Sequence, residues 1–145
     1  MPSRDLRRRP RQQQPRQSIL IVCLGEQTEF RYFQALKQDF RLPAVRVAIE
    51  STSRDPHSVI ALARRLHKQG AFDEVWCVFD HEFPPNNTLF QPAVEAARQN
   101  SFKLAVSNPA FEVWLLLHFR YTARSFTDNN ELVHQLRNAY PSSFR

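Results

Sequence analysis

The chain has 145 residues, 42% hydrophobic and 12% aromatic, enough to bury the core of one domain; neither a disordered protein nor a small disulfide scaffold fits that content. The formal net charge of +6 is unevenly placed, because residues 1–17 hold six arginines against one aspartate and the remainder is near balance. The two cysteines, Cys23 and Cys77, sit inside apolar runs and read as buried reduced thiols, since zinc or iron–sulfur sites need more ligands at closer spacing.

The first segment, RDLRRRPRQQQPR, has almost no apolar side chains. Residues 1–17 are therefore expected to form a disordered basic arm. Arg7, Arg8, Arg9 and Arg11 are its candidate nucleic-acid contacts, through phosphate. A solubilising leader is the blander reading of the same charges. No secretory pattern is present and no segment is long enough to span a membrane, so a cytoplasmic protein is expected.

From Ser18 the pattern alternates between two periods. SILIVCL, residues 18–24, is a continuous apolar run of the kind found in a strand covered on both faces. After Gly25, the residues Phe30, Phe33, Leu36 and Phe40 recur at helical spacing, and Pro43 ends that helix. Residues 44–50 alternate as a second strand. Asp55-Pro56 opens a helix with Val59, Leu62, Ala63 and Leu66 on one face and Gly70 as its C-cap. EVWCVFD, residues 74–80, is the third strand, HEFPPNNT a loop, and Pro92 to Asn100 a short helix. Residues 102–107 form the fourth strand. Asn108-Pro109 is expected to cap a helix through AFEVWLLLHF that lies in the core with Trp114 buried. The remainder reads as a loop and one more short helix, and it ends without a convincing cap or strand. On that ground the domain, residues 18–145, is expected to be shorter at its C-terminus than its relatives.

The order βαβαβαβα predicts an α/β, three-layer, mainly parallel four-stranded sheet with helices on both faces. Ligands of such sheets bind beyond the carboxyl ends of the strands. There the sequence places Gly25-Glu26 with Glu29 a helical turn on, Asp80-His81-Glu82, and Ser107-Asn108. Neither G-x-G-x-x-G nor G-x-x-x-x-G-K-[ST] occurs. Gly25 implies a close backbone approach or a positive φ. Asp80 and Glu82 can present oxygens to one hard cation, though a polar strand end is the commoner meaning of an isolated D-x-E. Glu112 opens an apolar helix, where the helix dipole alone explains a carboxylate. His118 lies about 240° around that helix from Glu112 and reads as structural.

Three segments, ILIVCLGEQTEFRYF, DEVWCVFDHE and VSNPAFEVWLLLHF, together resemble the RloB-like family of prokaryotic defence and restriction-modification loci. The resemblance implies a Toprim-like, Rossmannoid fold, in which a glutamate after the first strand and a D-x-D after the third hold Mg²⁺ for phosphodiester chemistry. It implies a nuclease with Mg (or Mn) on Asp80 and Glu82, assisted by Glu26 and Glu112. Nucleic acid and an ATPase of the same locus are the implied partners. The family's first motif reads like C-E-G-E-K-T-E, and here Leu24 stands at the first glutamate and Gln27 at the lysine. One expected ligand is thus missing, which leaves open a catalytically weakened module that binds nucleic acid or a partner. A receiver-like phosphoacceptor reading of Asp80 with Ser107 lacks its acidic pair at strand one.

Overall fold

The computed structural model describes residues 17–43, 47–81 and 88–140. The expected basic arm with Arg7, Arg8, Arg9 and Arg11, the start of the second expected strand, and Glu82 lie outside the described residues. The elements in chain order are β1 (Ile19–Leu24), α1 (Thr28–Asp39), β2 (Val47–Thr52), α2 (Pro56–Gly70), β3 (Glu74–Asp80), α3 (Phe90–Gln99), β4 (Lys103–Ser107), α4 (Glu112–Phe119) and α5 (Asn129–Ala139). The strands form one sheet in the order β2-β1-β3-β4, and every pairing is parallel. The expected α/β sheet is thus present, in a three-layer, Rossmann-like arrangement.

Strand alternation assigns each side chain to a face. Leu20, Val22, Val75, Cys77 and Phe79 point to one side and pack against Val59, Ile60 and Ala63 of α2 and Ala93 and Ala97 of α3. Cys23 and Val78 point to the other, against Phe33 of α1 and Phe111 just ahead of α4. A satellite core of Ala110, Leu116, Phe126 and Leu132 joins α4 to α5. Both cysteines are free and fully buried. Burial pushes each thiol up to about 12, with nearby Glu29 adding to the rise at Cys23.

Three local expectations are corrected. Gly70 does not cap α2: the helix runs through it, and Ala71 takes the left-handed position at φ 47°, its N–H donating to His67 O at 2.8 Å. Gly70 instead leaves room for Phe72, whose ring would lie 2.6 Å from an added Cβ. Asn108 does not cap α4. The buried stretch Pro109–Phe111 first carries the chain inward, and the helix starts at Glu112 with Phe111 at the N-cap position. Trp114 is not core but 48% exposed. Helix α4 packs on α5 through Leu116 and on α1 near its start, so the side that carries Trp114 and Leu117 stays largely exposed, as does Phe119 at the end of the helix. The Asp55 cap is as expected, accepting from Ser58 N at 2.8 Å with Pro56 in the first turn.

Ala71→Gly should stabilise the fold by about 0.5–1 kcal/mol, because a left-handed position costs a side-chain-bearing residue what glycine does not incur; thermal melting would show this as a raised midpoint. Leu116→Ala should cost about 2–5 kcal/mol as a buried aliphatic. Trp114→Ala should cost less than Leu116→Ala despite the larger side chain, and denaturant titration of the two variants gives the order.

Candidate functional site

Parallel pairing brings all strand C-termini to one rim. Gly25, at φ 88°, turns the chain out of β1, and its N–H still donates to Thr52 O at 2.7 Å. An added Cβ there would meet nothing within 4 Å, so the glycine serves the positive φ and not a close approach. Thr28 then starts α1, and Thr28 Oγ1 donates to Glu112 Oε1 at 3.2 Å. Ring contacts of Phe111 with Tyr32 (5.4 Å between centroids) and Phe33 (5.9 Å) hold the entry of α4 against the first turns of α1.

This convergence concentrates carboxylates. Glu29 is only 8% exposed, the one charged side chain among the described residues that is buried. Burial raises its pKa above the usual carboxylate range, its own backbone N–H lowers it, and the nearby Glu112 raises it further. Both acids occupy the first turn of a helix, where the N-terminal dipole favours negative charge. Asp80, half-buried at the end of β3, lies on the same face of the sheet as Cys23 and Val78, and its register partner on β4 is Ser107.

The expected site residues therefore separate. Asp80 and Glu112 lie at this rim on the face that α1 and α4 cover. Glu26 is also at the rim, in the turn before α1, but is exposed to solvent. Glu82 lies outside the described residues. Leu24, at the position of the expected glutamate, packs into the opposite layer with Leu20, Val22 and Phe79, so alternation turns it away from the Asp80 side. Glu29 was placed at the rim by the sequence but not counted among the expected site residues, and it is the carboxylate that the fold buries. The signal was present: Phe33 and Leu36 follow it by four and seven residues, which puts Glu29 on the inward face of α1. As to a metal, the described residues contain no group of three or more His, Cys, Asp or Glu side chains arranged to hold one. The described donor set thus falls short of a complete cation site.

Below the rim, on the same face, a cavity of about 500 Å³ opens between α1 and α4. The strands supply its floor through Ile21, Val78 and Ala105, and its aromatic walls include Tyr32, Trp76 and Trp114. A hydrogen-bonded circuit fixes one wall. Trp114 Nε1–H donates to Tyr32 Oη at 3.0 Å, and His118 Nδ1 lies 2.8 Å from the Trp114 carbonyl, which can only accept. In the neutral ring Nδ1 therefore carries the proton, and His118 Nε2 accepts from the Tyr32 hydroxyl at 3.3 Å. At the far end Glu74 accepts from Trp76 Nε1 at 3.0 Å and Gln17 Nε2 at 2.7 Å, and pairs with Lys103 Nζ at 3.0 Å. The Lys103 contact, then that of Trp76, holds the Glu74 carboxyl below its usual range.

The chain matches the family described as RloB-like protein over residues 19–144, most of its length, and belongs to that family. No curated protein matches the chain. No helix of the described residues is long and apolar enough to cross a membrane.

Glu29 gives the site a pH signature. Its folded pKa lies above its unfolded value near 4.3, so the native state holds the proton more tightly. Stability is then fully present below the unfolded pKa and is lost as pH rises through the folded one. Glu29→Gln should melt at a higher temperature than the parent at neutral pH, and the gap should close as the pH falls below about 4. Melting curves across that range check both the sign and the window.

Proposed function

We propose that this RloB-like chain is a phosphodiester-processing domain of nuclease type from a prokaryotic defence system, working at the rim that carries Asp80, Glu29 and Glu112. The observation that carries this reading is the buried Glu29 next to Glu112 on the same face as Asp80. Burying one carboxylate near another works against stability. It occurs where open α/β sheets bind their ligands, and a cost placed there is the mark of a site. The Toprim-like resemblance supplies the reaction class: acidic residues beside a phosphodiester, with Mg²⁺ or Mn²⁺ as the family's cofactor. Glu82, two residues beyond Asp80, is the further oxygen donor that a hard cation would require. With the described donors short of a full set, the chain's own contribution is to hold Asp80 half-buried and to orient Glu112 through the Thr28 hydroxyl. An ATPase of the same locus and nucleic acid through Arg7, Arg8, Arg9 and Arg11 are the proposed partners.

A second reading is favoured by one residue. Leu24 stands where the family motif has glutamate and packs into the apolar layer under α2 and α3, leaving the acidic set one ligand short. On that reading the domain binds nucleic acid or its partner without cleaving.

Cleavage of end-labelled RNA and DNA by the full chain, with Mg²⁺ and then Mn²⁺, separates the two. The first reading expects cleavage that Asp80→Asn lowers about a hundredfold or more, the scale on which positioned acid–base groups act. Absence of cleavage with either ion, alongside retained binding, would establish the module that binds only.

A further inference from the structure

We infer that the aromatic cavity between α1 and α4 is a stacking platform for the unpaired bases of single-stranded nucleic acid, whose backbone then passes the acidic rim. This rests on the proposed function for the bond that is processed, but base stacking itself needs no catalysis.

The position of the cavity comes first. Ser107, the register partner of Asp80, lines it, and so does Phe111, whose next residue is Glu112. The cavity and the carboxylates are therefore parts of one surface. Second, the polar atoms of the rings that line the walls already have partners. The Trp114 indole N–H is taken by Tyr32, the Tyr32 hydroxyl by His118, and the Trp76 N–H by Glu74. With its polar edge satisfied, Trp114 still leaves 48% of its surface to solvent. A rigid, half-exposed indole is what a base needs to stack on, and stacking accepts every base because each has a π-face.

Charge fits the same occupant. Lys103 lies 5.2 Å from the Trp76 ring centroid at one end of the cavity and is half-exposed. Gln17, hydrogen-bonded to Glu74 at that same end, is the residue through which the segment with six arginines joins the fold. Glu74 takes up the Lys103 charge at 3.0 Å, so the cations open to a phosphate backbone threaded past the rings are the six arginines of the sequence that leads into Gln17. The occupant must also be single-stranded. In a duplex the base faces are covered by their neighbours and only edges reach the grooves, whereas this cavity offers rings and few polar readers.

The chain contains only two tryptophans, and both line the cavity. Intrinsic tryptophan fluorescence therefore reports on this surface alone. The full-length Asp80→Asn chain, in metal-free buffer, would be titrated with short oligouridylate, short oligothymidylate and a duplex of the same length. Saturable quenching by either single strand, with markedly weaker quenching by the duplex, is expected. With labelled oligonucleotide, Trp114→Ala should weaken binding about fivefold or more, and Trp114→Phe should restore most of the affinity. Circular dichroism checks that both variants fold. Quenching by both single strands, or by RNA alone or DNA alone, supports the platform and names its preference. No quenching by any single strand, equal affinity for the duplex, or an unchanged Trp114→Ala would overturn it. So would a concentration-dependent dimer whose formation alone shifts the tryptophan emission, since the face would then belong to a second copy. Parent chain that quenches without cleaving defeats only the catalytic proposal; parent chain that cleaves without quenching defeats only this one.

Discussion

The parallel pairing of β1 with β3, in register from Ile19 opposite Glu74 to Cys23 opposite Val78, is the constraint from which the remaining geometry follows. Parallel neighbours need crossovers, and each crossover helix must pack back on the sheet. Every strand then delivers its C-terminal turn to the same rim, so residues as far apart in sequence as Thr28 and Glu112 come within hydrogen-bond distance. The two-residue period of the same strands divides the side chains at that rim. Cys23, Val78 and Asp80 fall on the α1 and α4 side, while Leu24 and Phe79 fall on the α2 and α3 side. A site that needed Leu24 and Asp80 to act together would have to work against that alternation.

The two faces of the sheet are not covered equally. Helices α2 and α3 seal one face with Val59, Ala63, Ala93 and Ala97, all fully buried. On the other face α1 lies over β2 and β1 and Phe111 at the start of α4 packs on Cys23 and Val78, while α5 packs on α4 instead of on the sheet. The difference leaves an apolar strip over parts of β1, β3 and β4. Exposed aromatic surface is unfavourable in water, and on that ground this face was proposed above as a binding surface. The Tyr32, Trp114 and His118 circuit makes it rigid as well, because each ring is held by a neighbour's polar atom and by edge-to-face contact.

Glu29 shows how the same fold tolerates a costly group. Its burial disfavours the charged form and Glu112 adds repulsion, while the first turn of α1 supplies a backbone N–H and a favourable dipole. The pair is a local sacrifice of stability within a well-packed surrounding, as is common where structure serves binding or chemistry.

By itself the sequence determined the elements and their faces. Continuous apolar runs marked β1 and β3, the Asp55-Pro56 pair marked the start of α2, and the alternation of periods implied a parallel sheet with helices on both sides. These features are local, and each is encoded by side chains within a few residues of one another. Even Glu29 was legible in principle from its spacing to Phe33 and Leu36. What only the tertiary structure decided depends on contacts across many residues. The apolar sequence of α4 carried no sign of which side would find a partner, so Trp114 looked like core and proved half-exposed. Ala71 and not Gly70 took the left-handed position that ends α2, while the Phe72 ring occupies the space beside Gly70. The meeting of Thr28 with Glu112, and of Tyr32 with His118, joins positions more than eighty residues apart. Periodicity tells a side chain which way to face, but which side chain it meets there is fixed only when the crossovers close.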